Sequence, residues 1–156
     1  MPKHILKSQQ NGSSLIEVLV TMIIVSLGLL GQAGLIALSS KANHSALMRS
    51  QATLLAYDIL ERLRLNRALA VAGGFNVNYA ASGSDPSDSI TGTAIQNLEL
   101  RDWKTNIEQA LSSGDGQVSV DGNGNVTINI RWSEVAKAAA NDGSITPTEF
   151  ITQSVI

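Results

Sequence analysis

The sequence has no cysteine among its 156 residues. That excludes a disulfide framework, a thiolate nucleophile and a cysteine-ligated metal. It does not exclude an oxidising compartment, because secreted domains need no disulfide. Histidine is almost as scarce. His4 and His44 are the only two, and neither has a second histidine at ligand spacing, which argues against zinc. A Ser-His-Asp triad has no footing either, since His44 follows a long apolar run rather than lining a cleft. No proline occurs between residues 13 and 72, so nothing of that kind interrupts a helix there. Basic charge is also lacking. The net charge is -2, and without Lys3 and Lys7 of the first twelve residues nine basic side chains face 13 acidic ones. Such a balance leaves no electrostatic footprint for a nucleic acid. No glycine-rich loop follows a strand and opens a helix, so a phosphate cradle is not expected.

Charge of either sign is missing from one block. Between Ser13 and Ser40 the single ionisable side chain is Glu17. Leu15 to Leu38 is apolar apart from Glu17, Thr21, Ser26 and Gln32. About 20 residues cross the hydrocarbon core as a helix, and this stretch is long enough. Lys3 and Lys7 mark its cytoplasmic flank, by the bias of positive charge toward the inside. Three plainer readings compete. A secretory signal would have a shorter apolar core and a small-residue cut after it, a pattern that Ala37-Leu38-Ser39 imitates. A simple membrane anchor accounts for everything except Glu17. A buried helix of a soluble protein leaves the basic leader unexplained.

Glu17 decides between them. An acid within a membrane helix costs about 2.5–3.5 kcal/mol on insertion scales and implies a partner. The segment holds no lysine, arginine or histidine, so the partner comes from elsewhere. A cut after Gly12 would give Ser13 a new α-amine about one helical turn from Glu17. In a stack of such helices each carboxylate can meet a neighbour's amine.

The basic leader, Gly12, and then Ser13-Ser14-Leu15-Ile16-Glu17-Val18-Leu19-Val20 resemble the processing motif of type IV prepilins. The resemblance implies cleavage between Gly12 and Ser13 by a membrane peptidase and methylation of the Ser13 amine. It also puts Glu17 in the place of the family's charge-pairing glutamate. Members often begin with phenylalanine or methionine, and the departure at Ser13 bears on methylation more than on cleavage. Leu54 to Arg67, Asp102-Trp103 as the opening of a later helix, a glycine-rich turn and strands ending in Arg131-Trp132 resemble PilV-type minor pilins. Pseudopilins of type II secretion share the N-terminal motif and fit the later segments less well. Major pilins usually close a loop with a cysteine pair that is missing here.

Beyond the apolar block, residues 39–72 are rich in helix formers. Ala52, Leu55, Ile59 and Leu63 recur at helical spacing and predict one buried face, with Leu60 and Arg64 turned elsewhere. Asp58 and Arg62 form a supporting i, i+4 pair. Gly73-Gly74 is the expected end of a single long rod. Gly28, Gly31 and Gly34 suit either a locally soft helix or close helix packing. Gly83 to Ser89 reads as a surface loop. Leu98 to Leu111 reads as a helix with Leu100, Trp103, Ile107 and Leu111 on one face. Gln117–Val120, Val126–Trp132 and Thr148–Ile156 read as strands, the last at a sheet edge. Trp103 and Trp132 are expected in the core. Asp121-Gly122-Asn123-Gly124-Asn125 mimics a calcium loop, but Val126 and Trp132 stand where that loop needs glycine and glutamate; a hairpin turn explains the Asn-Gly pair. Arg62, Arg64 and Arg67 form a basic patch that Asp58 and Glu61 partly neutralise.

The expected fold is α+β and pilin-like: a long N-terminal helix, transmembrane in its first half, packed on a small antiparallel sheet with a second short helix. The expected divisions are a leader at 1–12, a transmembrane and filament-packing helix at 13–38, its extracytoplasmic continuation at 39–72, and a globular head at 73–156. The resemblance implies a structural, non-enzymatic minor pilin that helps to prime or cap a type IV pilus, the alternative being a secretion pseudopilin. Its partners would be prepilin peptidase, other minor pilins and the major pilin. It would sit in the bacterial inner membrane with its head in the periplasm. No cofactor, metal or nucleic acid is expected.

Overall fold

The computed structural model describes residues 15–81, 84–134 and 147–156. The expected leader 1–12, with Gly12 and Ser13, and the loop residue Gly83 lie outside them. The chain divides at Ser40 and Lys41 into two units.

In the first unit, residues 15–40 are helical and every side chain is exposed. They belong to α1 (Leu15–Leu65), a helix of 51 residues. Its N-terminal part is long and apolar enough to cross a membrane. Thr21 Oγ1 donates to Val18 O at 2.9 Å and Ser26 Oγ to Met22 O at 2.6 Å. Both hydroxyls are thus satisfied within the helix itself, as an apolar surrounding demands.

The rod ends earlier than Gly73-Gly74. Asn66 breaks it, with φ -114° and ψ 39°. Its side-chain Nδ2 and its backbone N–H both donate to Arg62 O, each at 3.1 Å. Asparagine competes with the helix for such acceptors. A second piece, α2 (Arg67–Val71), follows. Gly73 at φ +83° closes that piece. Gly74 N–H reaches Leu69 O and Gly73 N–H reaches Ala70 O, both at 2.9 Å. This is the paired closure that a left-handed glycine permits after a helix.

In the second unit, α3 (Ile95–Ala110) and a sheet of β1 (Asp115–Val120), β2 (Asn125–Trp132) and β3 (Thr148–Val155) share one core with the end of α1. The strand order is β1-β2-β3 and both pairings are antiparallel. Strict alternation in β2 sends Val126, Ile128, Ile130 and Trp132 inward. Thr148–Val155 is at the edge, as expected. β1 starts two residues before the alternating pattern announces it, because Asp115 and Gly116 already pair with Arg131 and Ile130.

The buried face of α1 is broader than a single stripe. Ala52, Ile59 and Leu63 are fully enclosed, but so is Leu60, while Leu55 is only half-buried. The expectation that Leu60 turns elsewhere is therefore corrected. Buried positions at 52, 56, 59, 60 and 63 describe a helix packed over a face wider than one ridge. Arg64 stays exposed. Trp103 and Trp132 are core residues, as expected. Asp102-Trp103 lies in the middle of α3 rather than opening it. Trp103 Nε1 donates to Leu55 O at 2.8 Å, and its ring packs on Gly116. A Cβ at Gly116 would come within 2.7 Å of both Ile107 Cδ1 and Trp103 Cζ3, so only glycine allows this approach.

The β1–β2 connection is a hairpin turn. Asp121 accepts from Asn123 N–H at 2.8 Å, Asn125 N–H at 2.9 Å and Asn125 Nδ2 at 2.7 Å. Those bonds hold its carboxyl below the usual range, Asn125 contributing most. Gly124 has φ +85°, and a Cβ there would lie 2.7 Å from Ile156 O. Gly124→Ala should therefore destabilise the head by about 1–3 kcal/mol, the cost of a strained left-handed residue. Gly122→Ala, whose Cβ would meet nothing within 4 Å, should be near neutral. Thermal unfolding of the two variants in detergent, followed by circular dichroism, checks the difference.

Candidate functional site

Two regions gather chemistry. The first is the start of α1, where Glu17 is the third helical residue and is exposed. Thr21 and Ser26 turn their hydroxyls back onto the helix. Glu17 makes no hydrogen bond or ion pair among the described residues. Gly12 and Ser13 lie outside those residues. Gly28, Gly31 and Gly34 have nothing within 4 Å of where a Cβ would stand. Among the described residues the three glycines relieve no crowding.

The second region is a charged cluster inside the head that the sequence reading passes over. Lys104 is fully buried, and its Nζ lies 3.0 Å from Asp115 Oδ1 and donates to Asn78 O at 2.8 Å. Asp115 also accepts from Ala80 N–H at 2.8 Å and Gly116 N–H at 2.7 Å. Arg131 completes the group at 3.3 Å from Asp115 Oδ2. Its guanidinium lies 4.0 Å above the Tyr79 ring, a favourable cation–π stack. The Tyr79 phenol is pushed up to about 12, mainly by burial; Glu149 adds to the shift, Arg131 opposes it and Asp115 adds a little. The signal for the cluster was a lone lysine on the apolar face of α3, between Leu100, Trp103 and Ile107. Here both charges and their backbone partners are committed to one another. The arrangement anchors 78–80 and β1 to α3.

A surface depression beside it is lined by Asp85, Glu108 and Arg131 among others. Its charges are engaged as well. Asp85 accepts from Ser87 N–H at 3.0 Å and from Ser87 Oγ at 2.8 Å, and Glu108 accepts from Ser87 N–H at 2.8 Å. The bonds from Ser87 hold the Asp85 carboxyl below its ordinary range. Burial, together with Asp85, holds Glu108 above its own, against the opposing bond from Ser87. These contacts dock the loop on α3. The arginine patch is neutralised more fully than expected. Arg62 bridges Asp58 at 3.1 Å and Asp102 at 3.0 Å, and Arg64 pairs with Glu61. Burial alone would weaken the charge on Arg62, yet the two aspartates outweigh it and raise its pKa. Arg62 is thus an inter-helix tie between α1 and α3.

Comparison with known proteins returns one finding. Residues 7–31 match the family model of the prokaryotic N-terminal methylation motif. The matched segment is a prepilin-type signal and includes Gly12, Ser13 and Glu17. It supports a type IV pilin-like or pseudopilin protein, and the apolar helix fits one anchored in a membrane. No curated protein and no solved structure matches the chain.

The buried cluster makes a prediction about the head. Asp115→Ala strands Lys104 without its counter-charge, and breaking a buried pair from one side costs about 3–5 kcal/mol. The midpoint of urea unfolding should fall accordingly. Glu61→Ala, which breaks only the exposed pair with Arg64, should leave it nearly unchanged.

Proposed function

We propose that this chain is a minor pilin of the PilV type. After its leader is removed it stays in the bacterial inner membrane, with its head in the periplasm, and joins other minor pilins to prime or cap a type IV pilus. Its role is structural and not enzymatic. The observation that carries the reading is Glu17, unpaired among the described residues, set five residues after Gly12 in a stretch from Ser13 to Ser40 with no other ionisable side chain, and inside the matched motif.

Prepilin peptidase cuts between Gly12 and Ser13, and the freed amine of Ser13 is the site of methylation. The apolar side chains of residues 15–38 then pack beside those of related helices. Glu17 sets the register, because its charge is compensated in apolar surroundings only when a neighbour's amine is aligned with it. The major pilin would be met in the same way when the pilus grows. A secretion pseudopilin shares the methylation motif and remains the second reading; there, loss of the protein would stop enzyme export and leave piliation intact.

Mass spectrometry of the chain recovered from its native membranes should show an N-terminus at Ser13, with or without one added methyl group. Permanent retention of residues 1–12, or trimming near Ser39 to a soluble product, would sink the assignment. A second measurement addresses Glu17. The Glu17→Ala chain should insert in the membrane as before and co-purify less with its pilin partners; undiminished recovery of those partners would refute the pairing role.

A further inference from the structure

Just beyond its apolar block, α1 carries charge of one sign. Between Ser39 and Ala56 the ionisable side chains are Lys41, His44 and Arg49, and the first acid after Glu17 is Asp58. All three side chains are exposed, and among the described residues none of them makes a hydrogen bond or an ion pair. Within the head, by contrast, Arg62, Arg64, Lys104 and Arg131 each hold a carboxylate, and Arg101 holds Ile90 O at 2.8 Å. Arg67, past the far end of α1, is exposed and free of such contacts as well. Apart from Lys3 and Lys7 of the leader, Lys41, His44 and Arg49 are the basic residues nearest the apolar block.

The helical rise sets their height. α1 is unbroken from Leu15 to Leu65. At 1.5 Å per residue, Lys41 stands about 4–5 Å beyond Leu38, His44 about 9 Å and Arg49 about 16 Å. The headgroup layer on each side of the hydrocarbon core is about 5–7 Å thick. Lys41 therefore lies within it. Arg49 lies above it, but helical side chains lean toward the N-terminus, which here is the membrane, and a long basic side chain can follow that lean down to the phosphates. At 100° per residue the three positions fall within about 140° of one another, on one side of the helix. A tilt toward that side, about 20° being usual in a membrane, lowers all three together. Ser45 lies among them and donates to Glu134 Oε1 at 3.1 Å. That carboxylate makes no ion pair with Lys41 or Arg49, so it does not take the place of an outside anion.

We propose that Lys41 and Arg49, with His44 between them, bind the phosphates of anionic phospholipids at the membrane surface from which the head emerges. The anchor itself decides what covers these cations, because a helix leaving hydrocarbon near Leu38 passes next through lipid headgroups. Anionic lipid attracts basic residues held at the surface, and the attraction fades within a Debye length. The proposal rests on the membrane anchorage, not on a role in a pilus.

The absence of native cysteine makes the test direct. Full-length Ala37→Cys is labelled with bimane and reconstituted in mixed vesicles of phosphatidylcholine and phosphatidylglycerol. Flotation after a carbonate wash confirms its anchorage. Quenching by brominated phosphatidylglycerol is then compared with quenching by brominated phosphatidylcholine at equal mole fraction. Association with phosphatidylglycerol should be favoured about three- to five-fold. The preference should fall to near parity when Lys41→Gln and Arg49→Gln are added together, and should persist with Arg67→Gln. Equal quenching by the two lipids in a chain that floats would overturn the proposal and leave the anchorage standing. So would a preference that survives the loss of both cations with unchanged circular dichroism. A chain that does not float would overturn the proposal and the membrane reading together.

Discussion

The indole of Trp103 holds three elements of the head in place at once. Its N–H caps onto a carbonyl of α1, its ring lies on the bare backbone of Gly116 in β1, and its own backbone belongs to α3. Because Gly116 has no side chain, helix and sheet approach more closely there than any other residue would allow. That approach brings Lys104, one residue further along α3, down to the start of β1 and Asp115. The charged cluster is thus a consequence of the aromatic contact. Arg62 supports the same joint from its rim, reaching across to Asp102 beside the indole.

One helix meets two solvents. Residues 15–40 of α1 expose apolar side chains throughout, which water would not tolerate over so large a continuous surface. Residues from Ala52 onward bury a broad face in an ordinary protein core. The first part can be satisfied only by lipid or by neighbouring helices; the second is satisfied within the chain. The head closes on its own apolar core and on the buried pair of Lys104 and Asp115.

Much of this was legible in the residues. The block from Ser13 to Ser40 with its single acid, helical over residues 15–40, the alternation of β2 and the Asn-Gly turn each follow from a local rule. Glu17 stood out because an acid in such a block has no local explanation. Other features depend on partners distant in sequence. Leu60 is buried because α1 packs over a wide surface, which a single-face count cannot see. Asn66 breaks the rod seven residues before the glycines, through a bond from its own side chain. Lys104 is buried because Asp115 and Asn78, distant in sequence, lie beneath it. The site at Gly12 and Ser13 was read from the motif alone and lies outside the described residues.

Enclosure of Lys104 has a chemical corollary. An amine without access to water cannot be acylated, so in the folded head this lysine is shielded from amine-reactive reagents while Lys41, exposed on α1, is not. Modification of Lys104 would then register the opening of the joint between α3 and β1, residue by residue in a peptide map, without any label being engineered into the chain.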